Sequence, residues 1–259
     1  MIVCPVCHTE NSHLATTCKE CRSFVQTKID TLDLFATVWL LLESPRKAFH
    51  RISIARHKNY VIFLSFIHGI AILFFVMWLV RIGDMDVSLP QILGAGFVLG
   101  PVLGLIMLLL FAAVQKFIAK TLRLTTRFMN AVAIISYAMI PIALSVIFIL
   151  PVEILTFGKL FFSTNPSPYL LKPTSYVALL MLDGTTILWS FVLYIYGVRA
   201  LYDLGVRKAL LVSSLTVGVC SALLFSGVSG ISTKLSKVAP DKKVRVTVSV
   251  MSHENLLRR

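Results

Sequence analysis

Residues 60–80 read YVIFLSFIHGIAILFFVMWLV, a stretch without one charged side chain and as long as the roughly 20 residues an α-helix needs to cross a bilayer. Four further windows have the same length and apolarity: Ile92–Val114, Asn130–Leu155, Tyr176–Val198 and Ala209–Ile231. Composition agrees. Hydrophobic residues make up 57% of the 259 positions and charged residues only 14%, where a soluble domain carries about a quarter. The expected fold class is therefore an all-α polytopic membrane protein with five transmembrane helices. An apolar run at residues 34–42 is too short to span, so the first full window is expected to serve as the insertion signal.

Lys and Arg set the expected orientation. Residues 1–59 hold eight, the 115–129 connection four and the 199–208 connection three, whereas the other two connections hold only Arg81, Lys159 and Lys172. This bias puts the N-terminus in the cytoplasm of a plasma-membrane protein. The seven cations after Ile231 run against it, because an odd number of spans carries that tail outside. Most of the formal charge of +13 is juxtamembrane, so its expected partner is anionic lipid on the cytoplasmic face, with nucleic acid as the weaker alternative.

The first residues, MIVCPVCHTENSHLATTCKECRSF, carry two Cys-x-x-Cys pairs, Cys4/Cys7 and Cys18/Cys21. Each pair can turn its two thiolates toward one centre, and together they complete a tetrahedral four-sulfur site. One structural zinc ion is the expected cofactor, with rubredoxin-type iron as the competing ion. A disulfide framework fits poorly with a cytoplasmic segment. Four thiolates fill the shell, so His8 and His13 are read as exposed. The segment resembles the short zinc ribbons at the N-termini of many prokaryotic membrane proteins.

The expected organisation is a ribbon over 1–28, amphipathic helices over 29–59, the membrane domain over 60–231 and a basic tail over 232–259. Asp30 is a candidate cap for a helix over Thr31–Leu42 with Leu32, Phe35, Trp39 and Leu42 on one stripe. Ser44-Pro45 opens a second helix to His57, with Ala48, Phe49 and Ile52 opposite Arg46, Lys47 and Arg51, the pattern of a helix lying among lipid headgroups. Packing of both helices on the bundle's cytoplasmic end is the alternative.

Inside the windows, small residues recur every fourth position. Gly96, Gly100 and Gly104 form one ladder, and Ser214, Gly218, Ala222, Ser226 and Gly230 another. Such ladders let helix backbones approach closely, within the chain or in a homo-oligomer. Pro101 and Pro141 are expected to kink the second and third spans. Two polar intruders stand out: Asp183, followed by Gly184-Thr185-Thr186, and His68. Ionisable groups at such depth mark substrate or proton pathways, or buried hydrogen-bonded packing groups.

From Ser44 to Ser214 the chain resembles the Ypt-interacting-protein (Yip) membrane domain. The resemblance rests on Glu43–Ile52, the Tyr137–Pro141 step and the run from Trp189 through Gly197 to Arg207-Lys208-Ala209. It implies five helices with a cytoplasmic N-terminus. Eukaryotic members bind prenylated small GTPases, but their acidic cytosolic segment is replaced here by the cysteine segment. The expected function is a membrane scaffold or adaptor that docks a cytoplasmic protein through the ribbon. A transporter or channel using Asp183 and His68 is the alternative, and a membrane-tethered nucleic-acid binder a weaker one. No nucleophile–base pair or phosphate loop is visible, so no enzymatic activity is expected.

Overall fold

The computed structural model describes residues 1–26 and 29–238. Residues 27 and 28, at the expected ribbon boundary, and residues 239–259, most of the expected basic tail, lie outside the described residues. Met1–Cys220 forms one compact unit, and a second begins at Ser221, part-way along the last helix.

The N-terminal segment pairs β1 (Ile2–Val3) antiparallel with β2 (Glu10–Asn11), with Ile2 opposite Asn11. Two short helices follow, α1 (Leu34–Glu43) and α2 (Pro45–Ile54). The candidate spans are α3 (Val61–Val80), α4 (Leu89–Thr121), α5 with α6 (Phe128–Ala138 and Ile140–Phe157), then, after the one-turn α7 (Pro168–Leu171), α8 (Pro173–Tyr202) and α9 (Val206–Val238). All five are long and apolar enough to cross a membrane, and they coincide with the five windows read from the sequence.

Local chemistry sets the boundaries. Tyr60 and Arg81 take left-handed φ values of 64° and 57° and bracket α3, with the Arg81 guanidinium 4.7 Å above the Trp78 ring. Ser88 and Gln91 form a reciprocal capping box at the start of α4. The third span breaks at Met139. Pro141 has no N–H to offer the Tyr137 carbonyl, and the helix restarts at Ile140. Pro101, by contrast, sits inside an uninterrupted α4.

The core centres on α5, where every residue from Asn130 to Ala138 is buried. A helix apolar on all sides needs neighbours on all sides. They are α2, α3, α4 and α8. The Tyr137 hydroxyl donates to the Asn59 carbonyl at 2.7 Å and the Ser136 hydroxyl to that of Val61 at 3.2 Å, tying the middle of the chain to the start of α3.

Two expectations are corrected. Asp33, not Asp30, caps α1 by accepting from the Ala36 N–H at 2.7 Å, so the helix starts at Leu34. Phe35, Trp39 and Leu42 do share one stripe, and it faces outward. Leu32 and Leu41 are buried, whereas Phe35 and Trp39 are 84% and 70% exposed. Helix α2 does not lie free in the headgroup plane. Ala48, Phe49 and Ile52 are fully buried, and Phe49 closes on Gly197 of α8 beside Ile134 of α5. A side chain at Gly197 would collide with both. The Lys58 ammonium donates to the Ile52, Ser53 and Ala55 carbonyls and so closes the C-terminus of α2. Burial and nearby Arg127 push its pKa down to about 8.

Candidate metal centre and an acidic cavity in the bundle

The two cysteine pairs are built alike. In the first, the Cys4 N–H donates to the Thr9 carbonyl at 3.0 Å and the His8 N–H to the Cys4 carbonyl at 3.1 Å. In the second, Cys18 N–H donates to Ser23 at 2.8 Å and Arg22 N–H to Cys18 at 3.2 Å. His8 and Arg22 take φ of 57° and 58°, the left-handed turn that folds each knuckle back. The four sulfurs lie within 4.8 Å of one another, with Cys4–Cys21 at 3.6 Å and Cys7–Cys18 at 3.5 Å. A tetrahedral ion with metal–sulfur bonds of about 2.3 Å needs sulfur–sulfur edges of about 3.8 Å, so the set can hold a metal ion after small adjustments.

The surroundings favour thiolates. A hydrogen bond with the Ser23 hydroxyl, with help from backbone N–H groups, brings the Cys4 thiol down to about 6. Burial raises Cys18, but the N–H groups of Cys21 and Glu20 outweigh it and its pKa falls. Ser23 also lowers Cys21, yet burial and the neighbouring Cys7 and Cys4 thiols leave it raised. Asn11 locks the scaffold between the knuckles, donating to the Thr9 carbonyl at 2.8 Å and accepting from the Lys19 N–H at 3.0 Å.

His8 is exposed, as read from the sequence, but His13 is partly covered, with its Nε2 3.2 Å from the Ala200 carbonyl near the end of α8. Gln26 bridges the same junction. Its amide donates to the His13 and Ala15 carbonyls, and its oxygen meets His50 Nε2 of α2 at 2.8 Å. Leu14 packs on the main core. The cysteine segment is therefore seated on the helical bundle, a long-range contact that no local pattern announces.

Inside the bundle, α6 forms the floor of a cavity of about 400 Å³, with α3 and α8 as walls and Phe161 at one end. Asp183 faces it, and the Ser145 hydroxyl donates to Asp183 Oδ1 at 2.5 Å. Glu153, which the sequence reading passed over, is 3% exposed and lines the same cavity as Asp183. Its signal was available: it is a carboxylate inside an apolar window, close to that window's end. His68 is 3% exposed with neither ring nitrogen hydrogen-bonded among the described residues, and it does not line this cavity. The structure thus brings Asp183 to Glu153 and Ser145, and not to His68.

The two small-residue ladders differ. At Gly69 of α3 an added Cβ would run into the Gly100 carbonyl and the Gly104 backbone; at Gly104 it would meet Ser65 and Gly69, and at Gly96 the Phe74 ring. The first ladder is an intrachain helix contact. Ser214 and Gly218 are exposed, and a Cβ at Gly218 meets nothing within 4 Å, while Ala222, Ser226 and Gly230 lie in the second unit. The face of α9 that turns inward carries Ala209, Val212, Ser213 and Thr216 instead.

A family model, described as the Yip1 domain, matches residues 39–227, nearly three quarters of the chain. The match opens inside α1 and runs through the five candidate spans into α9, leaving the cysteine segment outside. No curated protein and no solved structure matches the chain.

Proposed function

The chain belongs to the Yip1 domain family, and from that premise we propose that it is an integral membrane scaffold whose N-terminal segment is a structural zinc ribbon presented to a cytoplasmic protein partner. The observation that carries this reading is the ribbon's two-sided character. One side, through His13, Leu14 and Gln26, is seated on the bundle. The other exposes Val3, Val6 and Phe24, apolar residues that a domain with so little core of its own would be expected to bury. Aromatic and aliphatic side chains held rigidly in the open are what a protein partner packs upon.

Zinc is the ion of choice because four thiolates in a closed tetrahedral set match its structural sites, and a closed shell leaves no position for catalysis. The cation bias supports a cytoplasmic side for this ribbon, in a protein we read as residing in the plasma membrane. A photo-crosslinking residue at Val6 in native membranes tests the reading. A discrete adduct that disappears with Phe24→Glu, in a protein that keeps its metal, supports it, and labelling by lipid alone opposes it.

A further inference from the structure

The cavity among α3, α6 and α8 has properties that a packing defect would lack. Glu153, almost wholly buried, and Asp183, which accepts from the Ser145 hydroxyl, line the same space, so two carboxyls face one cavity. An ionised carboxylate is an acceptor on both oxygens. Among the described residues no Lys, Arg or His forms an ion pair with either acid. A carboxylate in an apolar surround is stabilised by a cation, and an occupant of the cavity is in a position to supply one. The indole N–H of Trp78, another lining group, is also shielded from solvent and finds no acceptor among the described residues. An occupant that satisfies both ends carries a cation and a hydrogen-bond acceptor.

The route in is lateral. Phe75 of α3 and Leu180 and Ile187 of α8 line the cavity and are about half exposed on spans that face lipid, so the cleft opens between these two helices toward the acyl phase. At its end toward the 81–88 connection stands Trp78 with Arg81 stacked upon it, a cation placed to meet a phosphate at headgroup depth. We propose that this cavity binds a lipid with a protonated amine headgroup, its ammonium donating to the Glu153–Asp183 pair and its phosphate or ester oxygens accepting from Trp78. Primary amines offer N–H donors to both carboxyls, whereas a trimethylammonium group offers none. Phosphatidylethanolamine is therefore favoured over phosphatidylcholine, and an anionic lipid is excluded by the acids. The site is independent of the ribbon and does not rest on the scaffold reading.

The test uses the full-length protein in mild detergent, incubated with micelles holding equal amounts of phosphatidylethanolamine, phosphatidylcholine and phosphatidylglycerol of identical acyl chains. Lipids retained through gel filtration are quantified by mass spectrometry. The expected result is retention of phosphatidylethanolamine over each of the others by at least about fivefold, falling to parity in Glu153→Gln and in Asp183→Asn at unchanged helicity and elution volume. Should the carboxyl variants fail to fold, Leu180→Trp, which fills the cavity and leaves the acids in place, is expected to abolish the preference. Equal retention of the three lipids, or a preference that survives both Glu153→Gln and Leu180→Trp, overturns the proposal. Octylamine is the soluble-amine arm: displacement of retained phosphatidylethanolamine supports the shared amine chemistry, and octylamine binding without any lipid preference overturns the lipid assignment.

Discussion

Gly69 of α3 and Gly104 of α4 lie backbone against backbone, so close that neither position has room for a Cβ. In a bilayer, helices gain little from apolar burial against one another, and close backbone approach supplies the packing instead. Gly69→Leu or Gly104→Leu is expected to destabilise the bundle by about 1–3 kcal/mol or to abolish folded yield. Gly218→Leu is expected to be tolerated, because nothing surrounds that position. Thermal unfolding of the purified variants checks the contrast, and equal losses at Gly104 and Gly218 would contradict it.

A second prediction concerns the knuckles. His8 and Arg22 hold left-handed backbone conformations that cost a residue with a Cβ about 1–2 kcal/mol. His8→Gly and Arg22→Gly are each expected to tighten metal binding several-fold against a chelator, provided the glycine's extra freedom in the unfolded segment does not consume the gain. Chelator competition measures this directly, and weaker binding in both variants would show that the side chains contribute more than the strain costs.

The seat of the ribbon is expected to loosen in acid. Burial lowers the pKa of His50, with the nearby His13 adding to the effect and Asp203 opposing it. A histidine whose folded pKa is depressed contributes stability above its unfolded value, about 6.5, and loses it as pH falls through the folded value. Hydrogen-exchange protection at residues 13–15, taken relative to the intrinsic rate at each pH, is therefore expected to fall below about pH 6.5, and His50→Gln to flatten the change. Protection that is level between pH 7.5 and 5.5 would count against this role for His50.

Topology gives a fourth expectation. Asn165 and Thr125 sit in connections at opposite ends of the third span, the first in the cation-poor set and the second among four cations. Cysteines placed there in a Cys220→Ala background should differ, with Asn165→Cys reached by an impermeant reagent from outside intact cells and Thr125→Cys protected. The reverse pattern would invert the protein in the membrane.

The parts legible in the sequence were those written in short-range pattern. Five apolar windows gave five spans, Pro141 gave the break at Met139, and the cysteine spacing gave the cluster. What stayed hidden depends on contacts between distant residues. The stripe of α2 looked like a lipid-surface helix because Phe49 and Ile52 are as apolar as a headgroup anchor, and only Gly197, far along the chain, reveals that they are core. The ladder on α9 has the same four-residue spacing as the one on α4, yet the structure packs a different face inward. Glu153 was hidden by its place near the end of a window, where a charge normally reaches water. In the structure it is buried and lines the cavity instead.

The central claim is that four cysteines hold one structural zinc that keeps the ribbon folded on a Yip1-family bundle. Elemental analysis of the purified full-length protein, beside Cys18→Ser, tests it most directly. About one zinc per chain in the native sequence and a large loss in the variant is the predicted result, since three thiolates cannot close the tetrahedron. Substoichiometric metal together with a Cys4–Cys7 disulfide in protein taken from cells would contradict it.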